Sequence, residues 1–399
     1  MVASNCKPFW MHMLSLVRLR PLLLSAVAAG AFAMSGPSGA APARQKPPAA
    51  VAQRLEAAPL PVNVDQARLN AALKTFDAAQ EALGVTQSVI VAHKGALVLE
   101  RYGAGYEPST RFNTWNVGGS VTAALTGRAV QTGAVKSVDE RTGLAEWTIA
   151  ADGRDKITLR NLLQMSAGLT WRERDVGSEA GSDAEKMLFG AGQVNIMPYA
   201  TGAKAQAAPG ETFTYSTGSG VLLASAVQRR LPALTPSDGL RTYAWRKFIS
   251  AEFFDKLGMS QTAPQFDIRG NYYSSLIWMS ARDMAAFGKL CLRDGVWNGE
   301  RLLPEGWVQF MRTPSGAKGG DSYGAGFWIK AKNKPDSLMA HLPADAFAAG
   351  GDRGAVIVMI PSKDIVIVRT GITPFGEKSR AALGVWLGEL AAAFPDVKS

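Results

Sequence analysis

The sequence predicts a mixed α/β (α+β) fold: one antiparallel sheet takes strands from both chain ends, is flanked by terminal helices, and carries an inserted, mostly helical lobe. Three observations lead there. β-rich apolar runs occupy Ser88–Ala92 and Ala96–Arg101 near one end, and Tyr323–Ile329, Gly354–Ile360 and Ile365–Thr370 near the other. Helical spacing brackets them at Ala67–Leu83 and Ser379–Phe394. Between lie helical stretches at Asn116–Gln131, Thr158–Ser166, Gly220–Arg229, Leu240–Lys256, Ala281–Leu292 and Pro304–Arg312. The economical packing pairs strands from the two ends and covers them with helices. A cleft between a sheet lobe (64–115 and 320–399) and a helical lobe (116–319) is then the expected ligand site.

The elements follow in order. Lys7, Arg18 and Arg20 precede the apolar stretch Pro21–Met34, no acidic residue occurs before Glu56, and Ala41-Pro42-Ala43 offers small residues for cleavage. Residues 1–43 therefore read as a secretory leader, with export to the periplasm or medium expected. The apolar stretch is too short for a stable membrane span. Residues 44–63, rich in Ala and Pro, read as a mobile linker before a domain at 64–399. His93-Lys94-Gly95 separates the first two β runs as a hairpin turn. In the 116–131 helix, Val117, Val121, Ala124 and Leu125 form the buried side. Ser280 with Asp283 forms a capping box for the next long helix, and Asn298-Gly299 marks a tight turn.

Composition narrows the function. Apolar residues at 47% and charged residues at 19% suit a folded globular chain. The net charge of +10 comes from scattered Lys and Arg rather than from a basic run, so no nucleic-acid partner is expected. Three histidines and two cysteines, none at ligand spacing, support neither a metal site nor a metal cofactor, and no other cofactor is expected. Cys291 falls in an apolar pattern and reads as a buried structural thiol.

The segment Trp115-Asn116-Val117-Gly118-Gly119-Ser120-Val121-Thr122 resembles the nucleophile helix of class C β-lactamase-related serine hydrolases. The likeness is to the branch that includes 6-aminohexanoate-dimer hydrolase, whose pattern is Trp-Ser-x-x-Lys-Ser-x-Thr. Collinear stretches at Ile157–Leu169, Pro209–Ser216, Ser280–Gly288, Gly295–Pro304 and Pro361–Gly371 resemble the same branch, so the likeness spans roughly residues 65–395. It implies the serine β-lactamase/penicillin-binding-protein-like fold. It also implies a site in which a Ser at a helix start is deprotonated by a Lys one turn on. A Tyr relays protons to the leaving group, and backbone N–H groups stabilise the oxyanion.

Carried over residue by residue, the machinery is broken. The nucleophile position holds Asn116 and the lysine position Gly119; Tyr215 matches the family tyrosine; and the strand motif facing the nucleophile reads Asp352-Arg353-Gly354-Ala355. An amide is no acyl acceptor at neutral pH, and glycine offers no base. Losing either member of such a unit costs about 10⁴–10⁶ in turnover, and losing both costs little more. Backbone donors of Asn116 and Ala355 would leave at most roughly 10³–10⁴ over water. The resemblance thus implies a degenerate member that keeps a cleft for a small amide, ester or cell-wall-like ligand.

Competing readings stand beside this one. Asn is a strong helix N-cap, so Asn116 is expected to cap the helix that starts there. Gly118 and Gly119 cost helix stability, as a lapsed site or as a place where something approaches the backbone closely. Ser120 lies one turn on from Asn116 and is the rescue nucleophile if hydrolysis persists, with Tyr215 as the other candidate; as a structural residue Ser120 would bond within its helix. Asp352 and Arg353 read either as a solvated turn pair or as new charge in the pocket. Trp115 and Trp171 read as packing beside the cleft.

Overall fold

The computed structural model describes residues 55–76, 81–148, 152–174, 181–231, 238–332, 334 and 337–397. The chain divides into Met1–Ala49 and Ala50–Ser399. Every described residue belongs to the second unit; the expected leader, and the linker up to residue 54, lie outside the described residues.

Eleven strands are described: β1 (Val85–His93), β2 (Ala96–Tyr102), β3 (Phe112–Asn113), β4 (Ala263–Phe266), β5 (Tyr272–Met279), β6 (Val296–Trp297), β7 (Glu300–Arg301), β8 (Trp328–Ile329), β9 (Phe347–Gly350), β10 (Val356–Ile360) and β11 (Ile365–Ile372). The main sheet runs β2-β1-β11-β10-β9-β8, every pair antiparallel. Its centre joins the two chain ends, with Ile90 opposite Val368.

Side-chain alternation divides the sheet's two faces. Ile90, Ala92, Ile357, Met359, Val366 and Val368 face one core. Val89, Val91, Val358, Ile365 and Ile367 face the other. Both sides are therefore apolar, and β10 reads as an unbroken hydrophobic run rather than an alternating one. The second core is closed by α1 (Gln66–Leu73), through Leu69 and Leu73, and by α11 (Glu377–Ala392), through Leu383, Leu387 and Leu390. The larger core is closed by α2 (Val117–Gln131) and α9 (Ala281–Leu292).

The inserted lobe contains α3 (Ala145–Thr148), α4 (Leu159–Leu163), α5 (Asp183–Leu188), α6 (Ile196–Thr201), α7 (Thr217–Gln228) and α8 (Asp238–Ile249), with α10 (Trp307–Met311) after α9. A three-stranded sheet, β3-β5-β4, lies among them. Its central strand was not legible as a strand, because Tyr272–Met279 sits among longer helical signals. It pairs with the residues just before α2, Phe112 opposite Met279. Its backbone also explains one of the glycines: a Cβ on Gly118 would lie 2.4 Å from the Ser274 carbonyl oxygen.

Several expected boundaries shift for visible reasons. The first helix stops at Leu73 and passes into a 3₁₀ turn, where the Thr75 hydroxyl donates to the Ala72 carbonyl. His93 ends β1 instead of forming the turn. The run Tyr323–Ile329 yields only β8, because residues 323–327 fold back, Gly324 N–H donating to the Phe327 carbonyl. Ser280 caps α9, but the Asp283 carboxylate turns to Gln261 N–H and the Thr262 hydroxyl instead of completing a box. Residues 55–60, expected in the linker, lie along β2: Ala58 N–H donates to the Leu97 carbonyl, and Leu97 N–H to that of Glu56. Asn298 and Gly299 form the β6–β7 turn with both φ angles positive, as expected. Cys291 is buried, and burial pushes its thiol well above the usual range.

Among the described residues no helix is long and apolar enough to cross a membrane, and no group of three or more His, Cys, Asp or Glu is placed to hold a metal ion.

Leu387 is fully buried between α11 and the sheet. Leu387→Ala should destabilise the fold by about 2–5 kcal/mol in urea denaturation, the range for emptied leucine sites.

Candidate active site

The cleft is a cavity of about 440 Å³ between the main sheet and the inserted lobe. It is lined by the start of α2 (Asn116), the loop at Glu173–Arg174, the segment before α7 (Tyr215), the β8–β9–β10 edge, Leu338, and residues 373–376 with the first half of α11.

The start of α2 is tightly held. Trp115 takes a left-handed conformation (φ 50°), its N–H donating to Asn113 Oδ1 at 3.0 Å. On the sheet side, a Cβ on Gly351 would fall 2.2 Å from the Thr114 carbonyl oxygen. Only glycine allows the strand edge to come this close. Asn116 follows in a helical conformation and its side chain caps nothing. The capping role expected for it is not what the structure shows, because the amide is drawn away: Asn116 Nδ2 points to Glu173 Oε1 at 3.4 Å. That orientation is chemically favoured, since the amide oxygen would face a carboxylate otherwise.

Glu173 was not visible from the sequence. Its Oε2 accepts from Trp171 Nε1 at 2.7 Å and from Thr217 N–H at 2.8 Å. Its Oε1 accepts from the Thr217 hydroxyl at 2.5 Å and from Asn116. Thr217 has one hydroxyl proton, so its longer 3.5 Å approach to Asn116 Oδ1 is secondary. Each carboxylate oxygen thus accepts from two donors, and the group ties three segments together: the 171–174 loop, the start of α7 and position 116. The one sequence signal was Trp171, which supplies a donor to Glu173 as well as packing.

At position 119 the backbone is half-buried, and an added Cβ would meet no atom within 4 Å. Gly118 and Gly119 therefore differ: one is required by β5, the other leaves room for a longer side chain. Ser120 is 2% exposed and donates to the Gly326 carbonyl at 2.5 Å. Its partner is the folded-back 323–327 segment rather than its own helix. Ser120 is not among the residues that line the cleft.

Tyr215 lines the cleft, its ring stacked on Trp328 (centroids 5.4 Å, 20°) and edge-on to Tyr323. Burial, then Tyr323 and Glu173, push its hydroxyl well above the ordinary phenol range; Arg380 and Arg174 oppose this weakly. At neutral pH it is a protonated phenol, able to donate but not to act as a base.

Asp352, Arg353, Gly354 and Ala355 were read as a strand motif. The structure makes residues 352–354 a 3₁₀ turn between β9 and β10, with Arg353 left-handed (φ 60°). Asp352 pairs with Arg174, and the Arg353 guanidinium lies 4.0 Å above the Phe375 ring. Beneath the turn, buried Arg369 donates to the Gly354 carbonyl at 2.9 Å and to Leu83 and Thr373. Ala355 is 2% exposed, its carbonyl accepting from Gly351 N–H at 2.7 Å. The first three residues line the cleft and Ala355 does not. The backbone that packs against Thr114 and Trp115, just before position 116, is that of Gly351.

A family model described as Beta-lactamase matches residues 69–383, and the chain belongs to that family. The 6-aminohexanoate-dimer hydrolase of Paenarthrobacter ureafaciens is 24% identical over 234 residues, a match spanning 56% of either chain. Two solved structures share the fold. A Bacillus anthracis protein assigned as a 6-aminohexanoate-dimer hydrolase has a TM-score of 0.64 at 21% identity, over 87% of this chain and 90% of the other. A penicillin-binding protein homologue from Caulobacter crescentus has a TM-score of 0.55 at 16% identity, over 82% and 98%. The β-lactamase-related hydrolase family and its fold, expected from Trp115–Thr122 and the collinear segments, are thus observed.

Glu173→Gln keeps the shape but sets an amide NH₂ against donors. Urea denaturation should show a loss of about 1–3 kcal/mol, the cost of unpaired buried polar groups; an unchanged midpoint would mean that this tie carries no stability.

Proposed function

We propose that this chain binds a small amide, ester or cell-wall-like molecule in the cleft and hydrolyses it poorly or not at all. One observation carries the reading: the position that should hold an attacking hydroxyl holds Asn116, whose amide is tied to the Glu173 carboxylate, while position 119 has no side chain. The cleft supports the binding half, since it is a half-open cavity with aromatic and charged walls. The rival route through Ser120 or Tyr215 lacks support, because one hydroxyl is bonded to the Gly326 carbonyl and the other has its ionisation pushed up.

Chromogenic esters and a chromogenic β-lactam provide the test. The wild-type chain should stay near the buffer rate. Asn116→Ser with Gly119→Lys should raise kcat/KM by about 10²-fold or more, and either change alone should gain little, because nucleophile and base act as a unit. Brisk wild-type turnover abolished by Ser120→Ala or Tyr215→Phe would overturn the proposal.

A further inference from the structure

Away from the cleft, three exposed apolar side chains stand on segments of the inserted lobe that the fold ties together. Ile268, on the β4–β5 turn, is 78% exposed; Tyr243 on α8 is 56% exposed, and Val194, just before α6, is 51% exposed. Buried Asp267 makes the first tie. Its carboxylate accepts from the N–H groups of Arg269 and Asn271, from Asn271 Nδ2, and from Ile196 N–H at the start of α6. The second tie is to α8. There the Thr242 hydroxyl donates to the Gly270 carbonyl at 3.2 Å, and the Arg246 guanidinium lies 3.9 Å from the centre of the Phe266 ring. Ile268 is thus held out to solvent on a braced turn, with α8 and the 191–196 segment beside it.

The charge around it has one sign. The stretches that meet here, 189–197, 242–251 and 263–273, hold three cations, Arg246, Lys247 and Arg269, all exposed. Their one acid is Asp267, which is buried and takes four donors. Tyr243 and Lys247 lie one turn apart and share a row along α8. An aliphatic tip and an aromatic ring among cations suit the headgroup layer of an anionic bilayer, where apolar groups leave water and the cations meet phosphates. Tyrosine favours that layer, with its ring in the apolar part and its hydroxyl in water.

We propose that this face docks the protein on an anionic lipid surface. Ile268, Tyr243 and Val194 enter the interface, and Arg246, Lys247 and Arg269 contact headgroup phosphates. The inference concerns a surface outside the cleft and does not rest on the binding reading above.

The full chain is co-sedimented with vesicles of phosphatidylcholine alone and of phosphatidylcholine mixed equally with phosphatidylglycerol. The mixed vesicles should bind it about tenfold tighter or more, and added salt should erode the difference. Lys247→Gln with Arg269→Gln should weaken that binding about twentyfold, at about fivefold for each cation near an anionic surface. Ile268→Ser should weaken it about tenfold, the low end of what burying such a side chain contributes. Lys94→Gln with Lys136→Gln, the same charge change at exposed cations on other elements, should leave it nearly unchanged. Every variant keeps the apolar stretch Pro21–Met34, so differences among variants report on the face alone. Equal binding to the two vesicles overturns the proposal, as does equal weakening by the two double variants, which would reduce it to the attraction of a net charge of +10. Self-association lost in Ile268→Ser, without vesicle binding, would make the face a contact between copies and also overturn it.

Discussion

The backbone at the mouth of α2 is clamped from two sides, and the site depends on that clamp. The Ser274 carbonyl leaves no room for a side chain at position 118, and the Thr114 carbonyl leaves none at position 351. Trp115 spends a left-handed conformation to turn the chain into the helix between them. The residue at position 116 is thereby aimed into the cleft whatever its chemistry. Neither clamp contact involves a side chain at position 116 or 119.

Asn116 and Gly119 leave different marks on their surroundings. Asn116 has been absorbed into a structural network, since Glu173 gathers it with Trp171 and Thr217. Gly119 has not been absorbed by anything, and space stands where a side chain could go. Positive charge in the remaining cleft is carried by guanidiniums. Arg369 braces the 352–354 turn from below, with burial lowering its pKa to about 10, still well above neutrality. Arg353 and Arg380 face the cleft and are held by rings.

Much of the fold was legible because it depends on side-chain period. The β1–β2 hairpin, the β10–β11 pair and helices α2, α9 and α11 all carry strong apolar patterns, and the chain-end pairing follows from strand placement. What was not legible depends on contacts distant in sequence. Tyr272–Met279 becomes β5 because residues 112–113 pair with it. Tyr323–Gly326 leaves the strand because it folds back onto α2, where Ser120 meets the Gly326 carbonyl. For the site, Asn116 and Tyr215 were named from their motif and both line the cleft. Glu173 was not, because an acid in a loop carries no local signature. The capping role assigned to Asn116 was reasonable from helix propensity, and a carboxylate 57 residues away in sequence overrides it.

The claim underneath is that no side chain in this cleft can accept an acyl or phosphonyl group. Intact-mass spectrometry of the full chain, after prolonged exposure to excess fluorophosphonate or acylating β-lactam, asks that directly. The account predicts an unchanged mass. A stoichiometric adduct mapping to a residue of the cleft wall would contradict it.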